Sequence, residues 1–205
     1  GLIHNNSITS QALISGTYQG FRGGAAIYVD GNRADSFNLD IYDNEIFANT
    51  ADAILLADEV PGVGDVSDIN IYNNVIYDNG RRVENGGVGV AIANNVEDVR
   101  IADNTFANNV QGVVINNKNQ GYNPRNIVVR NNRFSENSFR NIYVENASNV
   151  TIDNNLFANT DENADKTEIY DRGEGVANLN VFGNELTESV DFVGLWQQFP
   201  NKNVN

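Results

Sequence analysis

Cysteine and methionine are absent from the 205 residues, and histidine and tryptophan occur once each. Without cysteine there is no disulfide, no thiolate metal site and no cysteine nucleophile. The lone His4 has no histidine partner for a metal centre. Positive charge is also scarce: 13 Lys and Arg stand against 27 Asp and Glu, a net charge of -14. Phosphate-backbone binding needs clustered cations, so nucleic acid is not an expected partner. No apolar run approaches ~18 residues, and no membrane insertion is expected. No basic segment followed by an apolar stretch opens the chain, so no retained signal peptide is expected either.

What the chain has in excess is asparagine, 37 residues of it, and the excess is periodic. LIHNNSI from Leu2 is followed by NLDIYDNEIFAN from Asn38, DINIYNNVIYDN from Asp68 and DVRIADNTFANN from Asp98. NIVVRNNRFSEN from Asn126, NVTIDNNLFANT from Asn149 and NLNVFGNEL from Asn178 complete the series. Apolar residues two apart within each copy, such as Ile69/Ile71 and Ile127/Val129, mark a strand. An asparagine then recurs without a gap at Asn6, Asn44, Asn74, Asn104, Asn132, Asn155 and Asn184. A second, weaker column runs Asn49, Asn79, Asn109 and Asn137, with Thr160 and Ser189 in the later copies. Another apolar segment lies between copies, around Ile27, Ile54, Val90, Val113, Ile142 and Ile169.

Two strands per repeat, at ladder spacings of 38, 30, 30, 28, 23 and 29 residues, describe a β-solenoid with loops of variable length. Stacked asparagine amides bond to one another at the strand spacing, and such a turn residue tolerates left-handed geometry. The expected fold is all-β, a right-handed parallel β-helix of about seven coils. It forms one domain over 1–205, with 188–205 as a C-terminal cap over the last coil. Because Leu2 already lies in a strand, the chain reads as a fragment of a longer one, with further coils or subunits of a larger surface protein as partners.

The pattern N-(I/V)-x-(I/V)-x-N-N-x-(I/F)-x-x-N resembles the repeat of the pectate-lyase-like superfamily, and in style the alginate epimerase and lyase modules of bacteria. The resemblance implies a secreted, extracellular bacterial protein that binds or modifies a polysaccharide, as a uronate lyase or epimerase would. That superfamily also includes hydrolases, phage tailspikes and adhesins, so a non-catalytic structural or adhesive solenoid is the alternative. The catalytic signatures are missing: none of Pro61, Pro124 and Pro200 precedes a histidine, and His4 lies between Ile3 and Asn5.

Residue by residue, the outward positions of the first strand stack as His4, Tyr42, Tyr72, Ala102, Arg130, Asp153 and Phe182. Beside them run Asp40, Asn70, Arg100, Val128, Thr151 and Asn180. Removing a proton α to a carboxylate needs a base, a cation to neutralise the carboxylate and a proton donor. Tyr72, Arg100 and Arg130 are the catalytic candidates. Tyr42, Asp40 and Asp103 are the substrate-binding ones, with Asp43 as a further oxygen donor. The alternative is an ordinary sheet face in which cross-strand pairs stabilise the ladder. A third column, Tyr28, Leu55, Ala91, Val114, Tyr143 and Tyr170, is apolar enough to pack against loops or a subunit. Calcium, the one cofactor suggested, has its candidate ligands at Asp58, Glu59, Asp65 and Asp68, and a second set at Asp161, Glu162, Asp165 and Glu168. Solvated acidic loops are the competing reading of both sets.

Overall fold

The computed structural model describes residues 1–9, 25–58, 60, 62–80, 87–117, 122–158, 167–173, 175–187 and 193–197. These residues form a right-handed parallel β-helix in which every strand pairs with its counterpart in the next coil. Each coil contributes three strands rather than the two expected from the repeat. The first sheet contains Leu2–His4, Ser36–Tyr42, Val66–Tyr72, Glu97–Ala102, Arg125–Arg130, Ser148–Asp153 and Ala177–Phe182. The short stretches just after the first ladder asparagine, among them Glu45–Phe47, Thr105–Ala107 and Arg133–Ser135, make a separate second sheet. The third sheet is built from the inter-copy segments, from Ile27–Asp30 to Val193–Gln197. The second sheet's strands are two or three residues long, too short for an alternation of their own to be read.

The corners explain the paired asparagines. Left-handed backbone falls on the first residue of each doublet, at Asn5, Asp43, Asn73, Asp103, Asn131, Asn154 and Gly183, with φ between 52° and 64°. Asn, Asp and Gly tolerate that region best. The ladder residue itself is the second of the pair, so the assignment of left-handed geometry to the ladder asparagine is corrected. Residue 104 shows how the amide is used. Its Nδ2 donates to Asn132 Oδ1 at 3.0 Å and to the carbonyls of Ile71 and Ala102, each at 2.9 Å. Its Oδ1 accepts both the backbone N–H and the Nδ2 of Asn74. The same contacts run from Asn6 to Asn184, so polar groups that would be costly to bury are satisfied by their neighbours.

Inside, the columns Ile41/Ile71/Ile101/Val129/Ile152 and Ile54/Val90/Val113/Ile142 are almost wholly buried, and each such side chain contributes about 1.5–3 kcal/mol relative to exposure. The second sheet's inward column changes from Ile46 and Ile76 to Phe106, Phe134 and Phe157. Those rings stack at centroid separations of 4.9 and 5.2 Å. Opposite Phe106 and Phe134 the third sheet has no side chain: a Cβ on Gly89 would stand 2.6 Å from the Phe106 ring, and one on Gly112 2.7 Å from Phe134. The glycines make room for the phenylalanines.

Candidate functional site

The first-sheet face forms in the expected register. Tyr42 pairs with Tyr72, Tyr72 with Ala102, Ala102 with Arg130 and Arg130 with Asp153. In-register parallel strands place like side chains one rung apart, and aromatic rings stack there. His4 and Tyr42 lie 4.8 Å apart and Tyr42 and Tyr72 4.9 Å, with interplanar angles of 9° and 0°. Tyr42 is thus covered on both ring faces, and its edge and hydroxyl are what remain for a ligand. In the neighbouring column Asn70 Nδ2 donates to Asp40 Oδ1 at 2.9 Å.

The structure brings Tyr72, Arg100 and Arg130 to one face within two rungs, but the arginines differ in what they offer. Arg130 is held by a two-pronged ion pair, Nε to Asp153 Oδ1 at 3.2 Å and Nη2 to Oδ2 at 3.0 Å. The Asp153 side chain is only 3% exposed, and Asn154 Nδ2 supplies a further donor at 3.0 Å. Arg100 reaches Asp103 at a loose 3.9 Å, with both side chains nearly half exposed, so its guanidinium faces solvent at little cost. Burial raises the Tyr72 hydroxyl above the ordinary phenol value, and Asp40, Tyr42 and Asp43 add to it in that order. A phenol shifted this way holds its proton more firmly.

The acidic candidates divide. Asp58 closes the third-sheet strand Ile54–Asp58 and is buried, whereas Asp65 is exposed just before the first-sheet strand Val66–Tyr72. Asn95 draws the two together by donating from Nδ2 to Asp58 Oδ2 and to Asp65 Oδ1, each at 3.1 Å. Asp68 belongs elsewhere, to a column of left-handed residues that runs Asn38, Asp68, Asp98, Asn126, Asn149 and Asn178. Glu59 lies outside the described residues, as do Asp161, Glu162 and Asp165. Glu168 is an interior group, 1% exposed. No group of three or more His, Cys, Asp or Glu is placed to hold a metal ion among the described residues.

Three features escaped the sequence reading. The second ladder continues from Asn137 to Asn141 at 2.6 Å, and from Asn141 to the Glu168 carboxylate. Glu168 thus ends a chain of amides that all donate in its direction. The left-handed column carries an exposed third ladder, Asn178 to Asn149 to Asn126 to Asp98, at 2.9–3.0 Å. Its members open the repeat copies in the sequence, which was the available signal. On the outward face of the third sheet Arg140 lies over Tyr170 at 3.8 Å, Phe139 at 4.2 Å and Tyr143 at 5.1 Å. Above it Val88, Ala91 and Val114 are buried in a small apolar cluster with Leu55 and Tyr143. Phe139 and Tyr143 are neighbours of Arg140 in the chain, whereas Tyr170 is brought over it from the next coil.

The stacked parallel sheets and their ladders define a protein of the parallel β-helix class. No protein-family model matches the chain, and no curated protein matches it.

Proposed function

We propose that the chain is a glycan-binding β-helix of the pectate-lyase-like superfamily, secreted by a bacterium, whose first-sheet face receives an extended polysaccharide. The observation that carries this reading is the rung-spaced strip of Tyr42 and Tyr72 beside Arg100, a periodic polar and aromatic surface facing solvent. A repeating polymer meets equivalent groups at successive rungs, and no side chain needs to reorganise to receive it. Binding is favoured over turnover because Arg130 directs its donors at Asp153. A purely structural solenoid is the second reading. The satisfaction of Asp40 by Asn70 and of Arg130 by Asp153 within the sheet favours it.

Alginate, pectate and neutral glycans, titrated calorimetrically against the wild type and Tyr72→Ala, separate the readings. The binding reading expects affinity for at least one glycan, weakened about tenfold in the variant, equivalent to roughly 1.4 kcal/mol. An ultraviolet-absorbing unsaturated product would establish a lyase instead. No binding to any glycan would leave the structural solenoid.

A further inference from the structure

We infer that the corner joining the third sheet to the first, at Asp58 and Asp65, is a binding site for a hard divalent cation of the calcium type. The inference does not rest on the glycan reading. Asp58 is 2% exposed, and its Oδ1 is the one buried side-chain oxygen or nitrogen without a hydrogen-bond partner among the described residues. Its other oxygen accepts a single bond, from the neutral amide of Asn95. A carboxylate removed from water is normally paired with a cation or saturated with donors, and this one is neither.

The surroundings add negative charge and oxygen. Asn95 holds Asp65 by the same nitrogen that holds Asp58, so the two carboxylates converge on one atom. The Asp65 backbone N–H donates to Asp35 Oδ1 at 3.2 Å, which ties the loop of the preceding coil to Asp65. Arg125 reaches the corner only indirectly. Arg125 Nη1 donates to Asn95 Oδ1 at 2.8 Å, while its Nε is paired with Glu97 at 2.7 Å. Arg125 therefore orients the Asn95 amide and leaves the charge of Asp58 uncompensated. One coil before, the position that stacks on Asp58 is Gly31. A Cβ there would lie 3.3 Å from the Asp58 carboxyl carbon. Backbone is thus packed against the carboxylate with no side chain to bond it.

Calcium suits these features better than magnesium. It accepts six to eight oxygens in irregular arrangements, whereas magnesium requires near-octahedral geometry and gives up water reluctantly. With Asp58 and Asp65 as the only charged ligands, the affinity falls on the order of 10⁻⁴–10⁻³ M, the range of weakly charged extracellular sites.

The test uses the whole chain, stripped with a chelator and titrated with calcium while heat and the thermal midpoint are followed. The expected result is one saturable site with a rising midpoint, both lost in Asp58→Asn. Asp65→Asn, a change at an exposed position, should weaken the site tenfold or more, and Asp98→Asn, on a different column, should leave it unchanged. If Asp58→Asn does not fold, Asp65→Asn alone decides. The inference is overturned by no response up to about 10 mM calcium, ten times the weak end of that range. An equal response to magnesium or to matched sodium chloride would overturn it too, as would a response that survives Asp65→Asn.

Discussion

The individual asparagines of the ladders are not interchangeable with other polar residues, because each amide both accepts and donates. Asn104 accepts two bonds from Asn74 and donates to Asn132, Ile71 and Ala102. Alanine at 104 orphans groups on both sides in a fully buried corner, and the expected loss is ~1–3 kcal/mol. Thr151→Ala, on the outward face of the first sheet, should stay within about 0.5 kcal/mol. Denaturant unfolding of the two variants measures the difference, and equal losses would contradict a buried ladder. Tyr143 makes a different kind of statement. Burial, then the hydrogen bond it donates to Glu145 at 2.6 Å, pushes its hydroxyl up to about 12. A folded value above the unfolded one means that the native state holds the proton more tightly. The stabilisation is complete below pH 10, the unfolded phenol value, and is lost as pH rises through 12. Tyr143→Phe should show a flatter decline in unfolding midpoint over that window, while an unchanged slope would remove Tyr143 as its cause.

At the scale of strands and sheets, the decisive device is complementarity of size across the interior. Where the second sheet presents Phe106 and Phe134, the third presents Gly89 and Gly112. Gly112→Ala places a Cβ 2.5 Å from the Asn141 carbonyl oxygen and 2.7 Å from Phe134, which is stacked between Phe106 and Phe157 and has no room to withdraw. Overpacking of this kind costs typically 1–3 kcal/mol. Thermal unfolding of Gly112→Ala should show that loss, and a midpoint equal to wild type would mean that the sheets separate more easily than their packing implies. The strand pattern of the first and third sheets was legible from alternation and repeat spacing. The second sheet was not, because a strand of two or three residues has no periodicity to read.

The whole molecule is a stack in which stability passes from coil to coil through ladders and core columns. Its net charge is -14, and among the described residues three arginines are committed to carboxylates. Arg130 is paired with Asp153, Arg125 with Glu97 and Arg172 with Glu145. That commitment weakens the case for Arg130 in chemistry and leaves Arg100 as the solvent-facing cation of the strip. The same bookkeeping directs attention to Asp58, where a buried carboxylate has no such partner.

By itself the sequence determined the fold class, the ladder columns and the register of the outward strip, because seven copies of one short pattern admit a single way of stacking buried asparagine on buried asparagine. It also placed Tyr42, Tyr72, Arg100 and Arg130 on one face, since alternation within a strand is a local property. The tertiary structure alone decided which of those groups are free. Whether Arg130 faces a ligand or Asp153, whether Asn95 joins Asp58 to Asp65, and whether Tyr170 covers Arg140 depend on residues brought close from other coils. Insertions between coils change the sequence distance to those neighbours from one rung to the next, so no spacing in the chain encodes them.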